Sequence, residues 1–215
     1  MKLKVCGMRD NENIESLIAL KPDFMGFIFY KKSKRFVADF PTIEIPLSIK
    51  KVGVFVNESL DTVLDIVEKY NLDSVQLHGN ETPEYCEKLK DCYLERSRKS
   101  FSEPHQIEIF KAFSVDDTFD FLKTEDYQKV CDYMLFDTKG KDYGGNGVKF
   151  NWDVLQKYKG EIPFILSGGI TKNDVEEIKK INHSAFVGLD INSGFEIEPA
   201  LKNINEIKEF KFNLG

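Results

Sequence analysis

Eight short apolar, β-branched runs recur along the 215-residue chain: LKVC, FMGFIF, VGVFV, SVQL, EIFKAF, YMLFD, PFIL and SAFVGLDI. Apolar runs of four to eight residues bounded by polar turns read as strands buried on both faces. The segments between them mostly read as helices. Leu60, Val63, Leu64 and Val67 have the i, i+3, i+4, i+7 spacing of a one-sided helix, with Ser59 as its N-cap. Thr82 before Pro83 reads as a cap with proline at the first helical position. Thr171 and Asp174 form a variant capping box ahead of Val175, Ile178 and Ile181. Pro199 is expected to open a last helix carrying Leu201, Ile204 and Ile207. Residues 41–50, with Pro41 and Pro46, and the polar stretch 95–107 are expected to be irregular.

Strand alternating with helix implies parallel strands joined by right-handed crossovers. Eight units in 215 residues average about 27 residues each, near the roughly 30 of a minimal βαβ unit. Eight such units close into a (β/α)₈ TIM barrel, and no linker divides the chain, so residues 1–215 are expected to form one barrel domain. An open doubly wound sheet would carry a GxGxxG loop after its first strand. The first strand here ends in CGMRD instead.

The net charge of −6 gives no bulk attraction for nucleic acid or an anionic membrane, so an anion site must be built locally. The four cysteines show no CxxC spacing and the three histidines do not cluster with them; neither a metal site nor a disulfide framework is expected. FMGFIFY, the longest apolar run, is too short to span a bilayer, and a reducing cytoplasm is the expected location.

Barrel enzymes place reacting groups at the C-terminal ends of their strands. The candidates there are Cys6, Gln76, His78, Asp137 and Asp190. Alternation puts Lys4 on the face of Cys6, and Leu135 on the face of Asp137. If that face is the interior, Lys4 lies beneath the thiol. The opposite assignment makes Cys6 an inert filler among the helices. His78 could equally fix the QLHG turn, and Asp137 could tie a loop. Two glycine turns come late, Ser167-Gly168-Gly169 and Ser193-Gly194. Close backbone approach at a helix N-terminus suits a phosphate, and barrels commonly bind phosphate at these two units. A third glycine-rich stretch, KDYGGNG at 141–147, reads as a surface loop or as a lid.

The ordered set KVCGMRD, GFIFYKKSKRFV, KVGVFVN, VQLHGNE, LFDTKGKDYGGNGVKFNW, FILSGGI and DINSGFE resembles the phosphoribosylanthranilate isomerase family of tryptophan biosynthesis. The resemblance spans nearly the full chain. It implies an Amadori rearrangement of N-(5-phosphoribosyl)anthranilate to 1-(2-carboxyphenylamino)-1-deoxyribulose 5-phosphate. By motif match, Cys6 would be the general base and Asp137 the general acid. Arg35 would hold the anthranilate carboxylate, the SGG and NSG turns the phosphate, and Asp190 sugar hydroxyls; Gln76 and His78 would also line the substrate site. The cationic Schiff base acidifies the C2 proton, so no cofactor is expected. The implied partner is the phosphosugar alone, bound by a monomer or a homodimer. Base and acid need opposite protonation states, and Lys4 is expected to lower the thiol. The chain departs from the family pattern at Val148, Asn151, Phe195, Ala200 and Asn203. The alternatives are a non-catalytic phosphosugar-binding barrel and a related enzyme such as indole-glycerol-phosphate synthase, which needs catalytic lysines and glutamates at other strand ends. The histidine-pathway sugar isomerase has aspartate where this chain has Cys6.

Overall fold

The computed structural model describes residues 1–100, 106–138 and 149–215, and the glycine-rich stretch 141–147 lies outside them. Each apolar run forms a strand: β1 Lys2–Cys6, β2 Phe24–Ile28, β3 Lys50–Phe55, β4 Ser74–Leu77, β5 Glu108–Val115, β6 Tyr133–Thr138, β7 Phe164–Ser167 and β8 Phe186–Ile191. They pair in sequence order, all parallel, and β8 returns to β1 with Leu3 opposite Leu189 and Lys4 opposite Asp190. The sheet is therefore a closed eight-stranded barrel.

Closure divides the core in two. Inside, Phe24, Val52, Phe110 and Ile165 pack together, with Phe24 edge-on to Phe110 at 5.2 Å between ring centroids. This plug fills the N-terminal half of the cylinder and leaves the C-terminal half for polar side chains. Outside, the alternate residues of each strand, such as Val5, Met25 and Phe136, meet the outer layer. Each large apolar side chain buried in this way contributes about 1.5–3 kcal/mol.

The outer layer holds helices α1 Asn11–Ile18, α2 Leu60–Tyr70, α3 Pro83–Ser100, α4 Val175–Ile178 and α5 Ile204–Leu214. Ser59 caps α2 by accepting the Thr62 N–H, and Asn71 ends the helix in the left-handed region. Thr82 accepts the Tyr85 N–H ahead of Pro83 in α3. Thr171 and Asp174 form the expected capping box, but over a 3-10 turn, Lys172–Asp174, that leads into the four residues of α4. The connections after β5 and β6 contain 3-10 turns at Phe121–Tyr127 and Trp152–Lys157.

Two expectations are corrected. The stretch expected to be irregular from residue 95 is helical to Ser100. Its polarity is that of an exposed helix face, where Arg96 pairs with Asp61 and Asp65 at 3.5 and 2.8 Å. Pro199 opens no helix. It lies in the turn between two short antiparallel strands, β9 Glu196–Glu198 and β10 Leu201–Lys202. The helix starts five residues later, where Asn203 caps α5 by accepting the Glu206 N–H. Of the family departures, Asn203 thus serves as a cap, Ala200 takes a φ of 72° in the hairpin turn, and Phe195 packs on Phe210. Asn151 caps the second 3-10 turn; Val148 lies outside the described residues.

Candidate active site

Lys4 and Cys6 both point into the barrel. A Cβ built on Gly26 of the neighbouring strand would lie 2.8 Å from the Cys6 sulfur and 3.2 Å from Lys4 Nζ. The thiol therefore sits beside the ammonium, and Val5 between them faces the helices. Lys4 is fully buried and donates to both Asp190 carboxylate oxygens at 3.0 Å. Burial disfavours its charge, but Asp190 and the thiol outweigh that and hold Lys4 above the ordinary lysine value. Burial is also the largest influence on Cys6, and it pushes the thiol up. Lys4 does pull it down, as expected, and so does Lys202, but burial wins.

The glycine after the cysteine has its reason here. Gly7 has φ +75°, and a Cβ on it would lie 2.7 Å from Arg35 Cδ and 2.8 Å from Asn192 Oδ1. Only a residue without a side chain lets these two neighbours cross the backbone just beyond the thiol.

The carboxyl side is built from β4 and β6. Asp137 Oδ1 accepts the Thr138 N–H at 3.0 Å, and its Oδ2 lies 3.2 Å from His78 Nε2. His78 Nδ1 lies 2.9 Å from Gln76 Nε2. An amide donating into Nδ1 leaves the ring hydrogen on Nε2, where it donates to Asp137. Gln76 Oε1 is buried and has no hydrogen-bond partner among the described residues. The loop that carries His78 is clamped from outside the barrel. Buried Lys111 donates to the Leu77 and Gly79 carbonyls at 3.3 and 2.7 Å and pairs with Glu81 at 3.1 Å.

The two glycine turns meet at the seam of β7 and β8. Gly168 and Gly169 have φ of +91° and +66°. A Cβ on Gly168 would strike the Thr138 nitrogen at 2.4 Å, so this turn needs glycine. Ser193 and Gly194 lie in a 3-10 turn directly after β8. Both turns line one pocket with Asn192. The helix expected to add its macrodipole is only a 3-10 turn and the short α4, so the dipole support is slight.

Arg35 reaches the same pocket from the β2–β3 connection. Its Nε and Nη2 donate to Glu196 Oε1 and Oε2 at 2.8 and 2.6 Å, a two-pronged pair. Lys202 Nζ donates to Glu196 Oε1 at 2.6 Å and to Asn192 Oδ1 at 2.7 Å. Burial raises the Glu196 carboxyl, but Arg35 and Lys202 together outweigh it and hold it below its usual value. Burial, with Arg35 opposing a second positive charge, brings Lys202 below the usual lysine value.

One pocket thus collects every catalytic and substrate-binding candidate from the sequence, Cys6, Arg35, Gln76, His78, Asp137, Ser167, Gly168, Gly169, Asp190, Ser193 and Gly194, with Lys4 buried beside the thiol rather than on its lining. Sequence reasoning missed Glu196 and Lys202. Glu196 stands inside the quoted DINSGFE motif, but its partner Arg35 is 161 residues away in the chain. Among the described residues, no group of three or more His, Cys, Asp or Glu is placed to hold a metal ion, and no helix is long and apolar enough to cross a membrane.

A family model described as N-(5'-phosphoribosyl)anthranilate (PRA) isomerase matches residues 3–213. The N-(5'-phosphoribosyl)anthranilate isomerase of Parabacteroides distasonis is 46% identical over 98% of this chain and 91% of its own. That of Phocaeicola vulgatus is 41% identical over 97% and 98%. The crystal structure of phosphoribosyl anthranilate isomerase from Thermotoga maritima superposes with a TM-score of 0.81 at 29% identity, covering 100% of this chain and 98% of that one. A second isomerase structure, in complex with reduced 1-(o-carboxyphenylamino)-1-deoxyribulose 5-phosphate, gives 0.78 at 27% identity over the same shares.

Proposed function

The chain belongs to the N-(5'-phosphoribosyl)anthranilate isomerase family, an enzyme family of tryptophan biosynthesis, and from that premise we propose that Cys6 and Asp137 carry out its Amadori rearrangement. The observation that carries this reading is the convergence of a buried thiol and a carboxyl on one pocket that also holds a glycine-turn seam and an arginine.

In this account the substrate phosphate sits on the Gly168-Gly169 and Ser193-Gly194 turns, and the anthranilate carboxylate faces Arg35. That places the ribose between the thiol and the carboxyl. Asp137, as the acid, gives its proton to the furanose ring oxygen, and the C1–O bond breaks to leave a cationic Schiff base at C1. The cation withdraws electrons from the C2–H bond. Cys6, as thiolate, takes the C2 proton, and the bond's electrons form the C1–C2 double bond of an enolamine. Cys6 returns its proton to C1 as the C2 hydroxyl gives its own to the Asp137 carboxylate, which leaves the ketone and restores both groups. The Schiff base supplies the electron sink that a metal or cofactor provides elsewhere. Asp190, fixed by Lys4, faces the sugar hydroxyls, and Gln76 Oε1 offers a buried acceptor to one of them.

Burial holds the Cys6 thiol up, against the thiolate that this step needs. Lys4 and Lys202 both pull it toward thiolate. Residues 1–215 act as one barrel domain on this phosphosugar.

Turnover of freshly prepared substrate, followed by loss of anthranilate fluorescence, tests the assignment. General acid–base catalysis contributes roughly 10²–10⁴-fold. Cys6→Ser and Asp137→Asn should each lose at least that much of kcat. Variants that keep most of the wild-type kcat would remove the pair from the mechanism.

A further inference from the structure

Arg35 and Glu196 together carry no net charge. Both prongs of the guanidinium pair with both carboxylate oxygens, at 2.8 and 2.6 Å. A neutral pair in a buried site exerts little pull on another anion. The group that changes this is Lys202. Its side chain is fully buried, yet among the described residues it donates only to Glu196 and to the neutral amide of Asn192. Its charge therefore has half a partner, because Glu196 is already matched by Arg35. The cluster of one arginine, one lysine and one glutamate holds an excess of one positive charge, and Arg35 and Asn192 place it on the pocket wall.

We propose that Lys202 is a specificity-determining residue: its buried ammonium supplies the unit of charge that makes the Arg35 end of the pocket select a substrate with an aromatic carboxylate. This rests on Arg35 being the carboxylate end of the site. Glu196 then has a positioning role. It occupies the Nε–Nη2 edge of Arg35, so the incoming carboxylate meets the other edge. The backbone of Lys202 is clamped independently of its ammonium, because its N–H and carbonyl both bond to the Asn13 side chain at 2.8 and 2.9 Å. Loss of the charge therefore need not move the chain.

Among the described residues, Glu196 supports the Lys202 charge, Cys6 supports it when ionised, Arg35 opposes it, and Asn192 is neutral. Burial brings Lys202 below the ordinary lysine value of 10.5, so its charge is lost earlier than that of a surface lysine as pH rises. A bound carboxylate would stabilise the ammonium.

The test is calorimetric binding of two probes in a Cys6→Ser background, which removes the thiol's own titration. One probe is reduced 1-(o-carboxyphenylamino)-1-deoxyribulose 5-phosphate. The other is the same compound without the ring carboxylate. Lys202→Met should weaken the carboxylated probe at least tenfold and the other less than threefold. With Lys202 intact, preference for the carboxylated probe should fall as pH rises toward 10, and this fall should vanish in Lys202→Met. Equal weakening of both probes, or a preference that ignores pH while Lys202 is present, overturns the role of Lys202. The half of the pH arm run with Lys202 intact needs no substitution there, so a preference that ignores pH overturns the role even if Lys202→Met folds poorly. Arg35→Met separates the underlying reading: equal weakening of both probes by that variant means Arg35 does not meet the carboxylate at all.

Discussion

The two walls of the pocket are built by different physics. The wall from β1, β8 and the β9–β10 hairpin is a cluster of buried charges: Lys4 locked to Asp190, Lys202 locked to Glu196, and a thiol between them. The wall from β4 and β6 is a chain of directional hydrogen bonds, Gln76 to His78 to Asp137 to the Thr138 N–H. The contrast fits the tasks proposed for them. A buried thiol must be induced to give up a proton, and only nearby positive charge in a poorly polarisable interior can offset burial. A carboxyl that hands a proton to one oxygen of a ring needs a fixed direction more than a strong field. Charge should therefore dominate the response of the first wall to substitution, and geometry that of the second.

The largest effect is expected at Lys4. Removing one partner of a buried ion pair leaves the other uncompensated, at about 3–5 kcal/mol. Lys4→Met should show that loss in chemical denaturation, and adding Asp190→Asn should recover much of it. The alkylation midpoint of Cys6 should rise further above the ordinary thiol range in both variants. A stable Lys4→Met protein with an unchanged alkylation profile would erase the distinction between the walls.

A smaller effect is expected at His78. Its contact with Asp137 is one directional hydrogen bond, worth about 0.5–1.5 kcal/mol. If that bond aims the carboxyl, His78→Asn should lower kcat roughly ten- to a hundredfold, with each tenfold step equal to about 1.4 kcal/mol. Denaturation midpoints should hardly move. Destabilisation on the scale of Lys4→Met would mean that the second wall is also held by charge.

The smallest effect sharpens the account of the first wall. Glu196 is held below its usual value in the folded chain, so its unfolded form binds a proton first as pH falls. The stability it contributes is complete above about 4.5, the ordinary value, and is lost as pH drops through the lower folded value. Melting temperatures of wild type and Glu196→Gln should therefore converge as pH is lowered from 5 toward 3.

The barrel was legible because a strand buried on both faces must be apolar throughout, and eight such runs leave few topologies. Its outer layer was less so. A proline tolerated at the first turn of a helix is equally at home in a hairpin turn, and Pro199 took the second course. The helix over residues 95–100 was hidden because its support is ionic and comes from α2, not from an apolar stripe of its own. The same holds in the pocket. Cys6, Asp137 and the glycine turns stand at strand ends, where position alone nominates them. Lys202 follows no apolar run of the barrel, and its burial depends on a hairpin and on an arginine far away in the chain. The net pull on Cys6 was also beyond local reading, since it is set by burial against two ammonium groups from opposite ends of the sequence.

The division of labour between thiol and carboxyl is tested most directly by the isotope effect on substrate deuterated at C2. If Cys6 takes that hydrogen, the Cys6→Ser variant makes C–H cleavage limiting, and its kcat should show a full primary effect. Asp137→Asn should make ring opening limiting and suppress the effect below that of wild type. Equal isotope effects in the two variants, or the larger one in Asp137→Asn, would contradict the assignment.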